Sequence, residues 1–176
     1  MSTLSALKLS FKGDIVTPGD PDYSEAIARW ATNAERPAGV VAFVKDTNDI
    51  ALALEYARTN NLQIAIRCGG HSPSGASSTK DGLVIDLSRH FNYAVVDPEK
   101  RTARVGAGTL WATVEKEAIQ HGLASVAGNV NHVRVDFTYD MHFMSVLSLV
   151  LTTTTKQTGV SGYVRIYKYG GHISLR

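Results

Sequence analysis

Two apolar runs, residues 40–44 and 62–66, bracket a stretch with helical periodicity, and the second leads straight into Arg67-Cys68-Gly69-Gly70-His71-Ser72-Pro73-Ser74-Gly75. No other feature limits the fold as much. Each run is short and apolar, the second broken only by Gln63, the pattern of a strand buried on both faces. Asp46 stands where an N-cap belongs. Ile50, Ala53, Leu54 and Ala57 form the inner stripe of the helix it opens, and Asn60-Asn61 stops that helix. Strand, helix and strand at this length predict a βαβ unit whose two strands run parallel and pair. In open α/β sheets ligands bind at the carboxyl ends of strands, which is where residues 67–75 fall.

The loop has its own chemistry. Gly69 and Gly70 let the backbone turn sharply and approach a bound group, because no Cβ intervenes. Successive backbone N–H groups in such a turn form a concave anion site, with Arg67 beside it and His71 and Ser72 just after. The Gly-x-Gly-x-x-Gly dinucleotide fingerprint is absent, and no Gly-Lys-Ser/Thr follows the glycines. A Gly-Gly pair followed by small polar residues is also the composition of an ordinary surface turn. On the loop alone, both readings stand.

Around this centre the chain reads as α+β. Residues 22–34 predict a helix, with Ile27, Trp30, Ala31 and Ala34 as its apolar stripe and Asp22 and Glu25 as a capping box. Residues 82–87 read as a strand. Residues 93–96 and 102–105 flank a polar turn and predict an antiparallel hairpin. Thr109 is placed to cap a third helix, with Leu110, Val114 and Ala118 inward and Gly122 as its stop. The antiparallel part then runs from residue 82 to about Gly128, and a further turn covers residues 128–132. Beyond Val133 the turn chemistry becomes irregular. Residues 152–155 are a run of threonines, and residues 143–151 suit a short strand or helix.

Composition narrows the classes of function. The 176 residues suit one domain. A formal net charge of +2 is too small to argue for a nucleic-acid or anionic-membrane partner. Residues 1–12 lack a sustained apolar core, so no secretory signal is read there. The run 143–151 falls far short of the ~20 apolar residues a spanning helix needs. A cytoplasmic location is the default expectation. Cys68 is the single cysteine, which leaves no internal disulfide and reads as a small residue at the buried end of a strand. His121, His132 and His142 lack metal-ligand spacing, so no metal is expected. Trp30 and Trp111 read as core residues on helices.

The order of several stretches resembles the FAD-binding domain of the p-cresol methylhydroxylase-type, vanillyl-alcohol oxidase-like flavoproteins, and most of all the berberine bridge enzyme-like FAD-linked oxidases. They are residues 37–44, Arg67-x-Gly69-Gly70-His71-Ser72, residues 82–88, Val95-x-Asp97-Pro98 with Arg101-Thr102, Val105-Gly106-Ala107-Gly108 with Trp111, and His121-Gly122-Leu123 running to Gly128. Together they cover residues 23–133. The resemblance implies FAD as cofactor, a small organic substrate and oxygen as acceptor. It implies a covalent link from His71, whose ring nitrogen would bond the flavin's ring methyl carbon. It implies cofactor contacts from Arg67, Cys68, Gly69, Gly70, His71, Ser72, Gly75, Gly128 and Val133. Relatives with a second link carry a cysteine at the position of Val130, so a single link is implied.

The resemblance stops at Val133. There the family continues with a glycine-rich run lining the other side of the flavin, whereas Arg134, Asp136 and Phe137 put side chains into that space. No stretch matches the family's substrate-binding domain or the closing part of its flavin domain. The expected organisation is an extension over residues 1–22, an incomplete FAD-binding domain over 23–133 and a divergent, poorly packed tail over 134–176. Thr158-Gly159-Val160-Ser161-Gly162 echoes the missing run, as it would if residues 134–157 were an insertion such as a retained intron. A chain of this kind is expected not to turn over substrate on its own. The alternative reading is a non-catalytic flavin-binding or interaction domain derived from the same fold.

Overall fold

The structure is a computed structural model that describes residues 3–125, 130–135 and, as backbone, 161–168. Gly128 and the runs 143–151 and 152–155 lie outside the described residues. In chain order the elements are α1 (Leu4–Ser10), β1 (Asp14–Val16), α2 (Tyr23–Ile27), a 3-10 turn (Thr32–Ala34), β2 (Val40–Phe43), α3 (Thr47–Thr59), β3 (Ile64–Arg67), β4 (Leu83–Asp86), β5 (Ala94–Asp97), β6 (Thr102–Gly106), α4 (Trp111–Ile119), β7 (Leu123–Ser125) and β8 (Ser161–Lys168).

Two four-stranded sheets result, ordered β1-β2-β4-β3 and β5-β6-β8-β7. In the first, β2, β4 and β3 are parallel and β1 is antiparallel to β2. The second is antiparallel throughout. The fold is therefore α+β.

The βαβ unit forms, with one correction. β2 and β3 are parallel but not neighbours, because β4 lies between them and pairs with both. The sequence reading had put residues 82–87 in the antiparallel part. Burial explains the order: all four residues of β4 are buried, whereas β3 begins with the exposed Ile64. The strand most costly to expose takes the centre, and the one with a solvated end takes the edge.

Helices and loops close both faces of this sheet. Val40, Ala42, Leu83 and Ile85 pack against Ile50, Ala53 and Ala57 of α3 and Leu7 of α1. Val41, Phe43, Val84 and Ala65 pack on the opposite face against Val16, Ala26 and Ala38. Asp46 caps α3, its carboxylate accepting the Asp49 N–H at 3.0 Å. Asp49, fully buried, accepts the backbone N–H groups of Lys12, Gly13 and Lys45 at 2.9–3.0 Å, tying the link from α1 to β1 onto α3. In the second sheet Ala103 and Val105 pack on Trp111, Val114 and Ala118 of α4.

Three further expectations are corrected. The helix over residues 22–34 ends at Ile27, since Ala28 is extended (φ −57°, ψ 143°), and the Asp22 side chain makes no capping bond. Thr109 does not cap α4. Its buried hydroxyl accepts the Tyr93 N–H at 2.9 Å and lies 2.9–3.1 Å from the carbonyl oxygens of Tyr93 and Phe91. The first N–H groups of α4 instead reach the carbonyls of Val133 and Asn131, at 3.1 and 2.9 Å. Finally, β8 is a strand where no element was expected, pairing in register from Thr102↔Arg165 to Gly106↔Ser161 and from Leu123↔Lys168 to Ser125↔Ile166.

Candidate functional site

β3 and β4 end together, at Arg67 and Asp86, which are direct partners in the register. Arg67 Nη1 donates to Asp86 Oδ2 at 2.7 Å, and the Asp86 side chain is fully buried. The pair anchors the start of the loop. Arg67 is thus a fixed, partly buried cation rather than a mobile surface charge, and its buried Nε has no hydrogen-bond partner.

A second guanidinium lies under the same turn. Arg29 is 7% exposed and spans the break after α2. Its Nη1 donates to the carbonyls of Ile27 and Ala28 at 2.9 and 2.8 Å, and its Nη2 to that of Ser77 at 2.7 Å. Its Nε also lacks a partner. Burial, and then the nearby Arg67, pull its pKa down to about 10.

Gly70 sits between the two arginines with φ +69°, in the left-handed region that favours glycine. A Cβ there would stand 2.9 Å from Arg29 Cδ and 3.3 Å from Arg67 Nε. A Cβ on Gly69 would stand 2.6 Å from His71 Cδ2 and 3.3 Å from Arg134 Cγ. Both glycines are therefore required by space, and Gly70 by conformation as well.

His71 follows, half-buried. The Trp30 ring lies 5.4 Å from the His71 ring and 5.5 Å from that of His132, centroid to centroid, while the two imidazoles are 6.5 Å apart. Burial pushes the His71 pKa below its ordinary value, and the neighbouring His132 and Arg134 push the same way. The imidazole is thereby biased toward its neutral form, the nucleophilic one.

The remaining expected site residues scatter around this centre. Cys68 is buried in the first core. Ser72 Oγ lies 2.9 Å from Ser74 Oγ, and its carbonyl accepts the Gly75 N–H at 3.3 Å. Gly75, at φ +81°, turns the chain back toward the buried Ser77 and Thr79. Val133 contributes a backbone carbonyl to the start of α4 rather than a side chain. Arg134 reaches across to donate to the Gly108 carbonyl, and burial lowers its pKa.

Sequence reasoning did not assign Arg29, Trp30 or Asp86 to the site. Asp86 had a legible signal, an acid closing one apolar run opposite an arginine closing another. Trp30 had none, because residues 22–34 fit a helical stripe. It is 70% exposed, not a core residue, whereas Trp111 is fully buried. Among the described residues no group of three His, Cys, Asp or Glu could hold a metal ion, and no helix is long and apolar enough to cross a membrane.

The arrangement suits an anionic phosphate-bearing group beside an imidazole: one buried and one partly buried guanidinium with unpartnered Nε groups, two glycines at a close turn, and His71 next in sequence. Comparison with known proteins agrees. Residues 37–134 match the FAD binding domain family model. The chain belongs to that family. It carries the FAD-binding domain of FAD-linked oxidoreductases, and its cofactor is FAD. It is 34% identical over 138 residues to (R)-6-hydroxynicotine oxidase of Paenarthrobacter nicotinovorans, a match covering 78% of this chain and 29% of that enzyme. The crystal structure of 6-hydroxy-D-nicotine oxidase from Arthrobacter nicotinovorans superposes with a TM-score of 0.68 at 32% identity, covering 72% of this chain and 28% of that one. A berberine bridge enzyme-like protein of Physcomitrella patens shares the fold, with a TM-score of 0.69 at 24% identity over 76% of this chain and 29% of that one. The chain thus spans under a third of the length of these relatives.

Proposed function

We propose that this chain is the cofactor module of an oxidase that oxidises a small organic substrate with oxygen as acceptor, and that FAD is attached to it through His71. The carrying observation is His71 itself, held neutral-biased at the end of the Gly69-Gly70 turn. Relatives named as oxidases support the reaction class. When bound, FAD supplies the acceptor for the substrate's electron pair.

The residues of this chain divide the work. Gly69 and Gly70 would let the backbone come close to the diphosphate, and the guanidiniums of Arg29 and Arg67 would supply positive charge to it. Ser72 and Gly75 form the outer turn of the cradle. Asp86 fixes Arg67 and so keeps the loop seated on the strand ends. His71 presents an unprotonated ring nitrogen. The proposal also assigns cofactor contacts to Cys68, Gly128 and Val133 on the family resemblance, with residues 23–133 as the domain.

The test is the colour and the acid stability of the cofactor. Purified chain supplied with FAD should be yellow, and protein precipitated with acid should retain the flavin. Complete release of flavin into the acid supernatant would overturn the His71 link. A second reading, flavin binding without turnover, is favoured by one observation: Arg134 Cγ stands against the Gly69 position, in space the family lines with glycine. Release of hydrogen peroxide with an amine or alcohol substrate would exclude that reading.

A further inference from the structure

We propose that Trp30 is a positioning residue for His71, fixing the imidazole and the Gly70 turn from a segment the sequence presents as ordinary helix. The proposal rests on His71 being the flavin attachment point.

Three contacts made by two adjacent residues carry it. The Trp30 backbone N–H donates to the Gly70 carbonyl at 3.2 Å. The Trp30 ring packs with the imidazoles of His71 and His132 as the third corner of a triangle of rings, tilted 37° and 33° to them. Arg29, next in the chain, holds its Cδ 2.9 Å from where a Gly70 side chain would begin. None of these contacts would exist had the helix continued. In a helix the Trp30 N–H would bond the carbonyl four residues earlier, at Ala26. Here the helix ends at Ile27, Ala28 is extended, and the Trp30 N–H is released to the loop. Arg29 takes over the Ile27 and Ala28 carbonyls that a continuing helix would have used.

The exposure of Trp30 is the second part of the argument. A tryptophan 70% exposed gains little from burial, so packing does not explain its position. What its ring does is cover His71. Among the described residues, the charged and titratable groups near His71 are His132 and Arg134 from the 130–135 segment, with Arg29 and Arg67 beneath the turn. His132 and Arg134 disfavour a protonated His71, and the indole adds to this by excluding water from one face. Trp30 thus holds the imidazole in place and helps keep it neutral.

Attachment replaces one imidazole N–H and one methyl C–H by a single N–C bond, and the two electrons and two protons released go to dissolved oxygen. Its rate follows the fraction of His71 that is both neutral and correctly oriented. The test uses Trp30→Ala and Trp30→Phe in the full chain. The His71 ring proton is titrated by NMR without flavin. Acid-stable flavin is then followed against time and pH after adding FAD in air. Trp30→Ala should raise the His71 titration midpoint toward its ordinary value, slow attachment at neutral pH at least tenfold, and move the acid limb of the attachment profile to higher pH. The dissociation constant for unattached FAD should change less than threefold, and Trp30→Phe should restore most of the rate. An unchanged His71 midpoint in Trp30→Ala, or attachment at the wild-type rate, overturns the proposal. Failure of the wild-type chain to attach flavin overturns the His71 reading instead, and the NMR titration still decides the role of Trp30.

Discussion

At the scale of single residues the site is an arrangement of arginines around two glycines, with a histidine biased toward its neutral form by burial and then by its basic neighbours. His71→Ala should leave flavin that binds but dissociates, because Gly69, Gly70 and Ser72 remain; acid precipitation followed by fluorescence of the supernatant reads this directly. The lowered His71 pKa has a signed consequence. The folded state binds this proton less readily than the unfolded chain, so the stability contributed by the neutral ring is present above about pH 6.5 and is lost as pH falls below it. Between pH 8 and 5 the urea midpoint of wild type should fall relative to that of His71→Asn. Asp86→Ala would leave the partly buried Arg67 with only the Ala26 carbonyl as partner, at a cost of about 1–3 kcal/mol. Gly70→Ala forces a side chain into a positive φ against Arg29 Cδ and should cost about 1–3 kcal/mol by urea denaturation, with weaker FAD binding. The Arg67–His71 loop was legible only in company: alone it reads equally as a surface turn, and the ordered stretches around it, from residues 37–44 to Gly128, single it out. Arg29 was not, because a buried arginine inside an apparent helix carries no local sign of the carbonyls it will meet.

At the scale of elements, local signals succeeded where one element decides its own fate. The Asp46 cap, the α3 stripe and the β5–β6 hairpin formed as their sequences suggest. They failed where a neighbour decides. β4 enters between β2 and β3 because it is buried along its whole length whereas β3 has a solvated end that suits the edge, a comparison no single run contains. Thr109 gives up its cap role because α4 gets carbonyls from residues 131 and 133, far away in the chain's turn chemistry. Helix α2 stops early because the Gly70 carbonyl offers the Trp30 N–H a partner outside it. Two elements can be probed simply. Asp49→Ala removes three charge-assisted bonds to Lys12, Gly13 and Lys45, and should cost at least about 1.5–3 kcal/mol and open residues 1–13 to protease. Trp111→Ala should cost about 3–5 kcal/mol, since its ring is fully enclosed between α4 and the second sheet.

At the scale of the whole molecule, the parallel sheet and the 130–135 segment meet around one loop. The parallel sheet brings Arg67, Asp86 and the glycine turn to its carboxyl edge. The 130–135 segment, which also closes the start of α4, lays His132 and Arg134 against that turn from the other side. A group held between them touches both halves, so binding should stiffen the molecule as a whole and raise its melting temperature with cofactor concentration. The most direct measurement is mass spectrometry of the tryptic peptides after incubation with FAD and acid precipitation. The peptide running from Cys68 to Lys80 should carry the mass of the flavin, and His71→Ala should carry none. Flavin found on another peptide, or a colourless protein with every peptide at its unmodified mass, would contradict the assignment of His71.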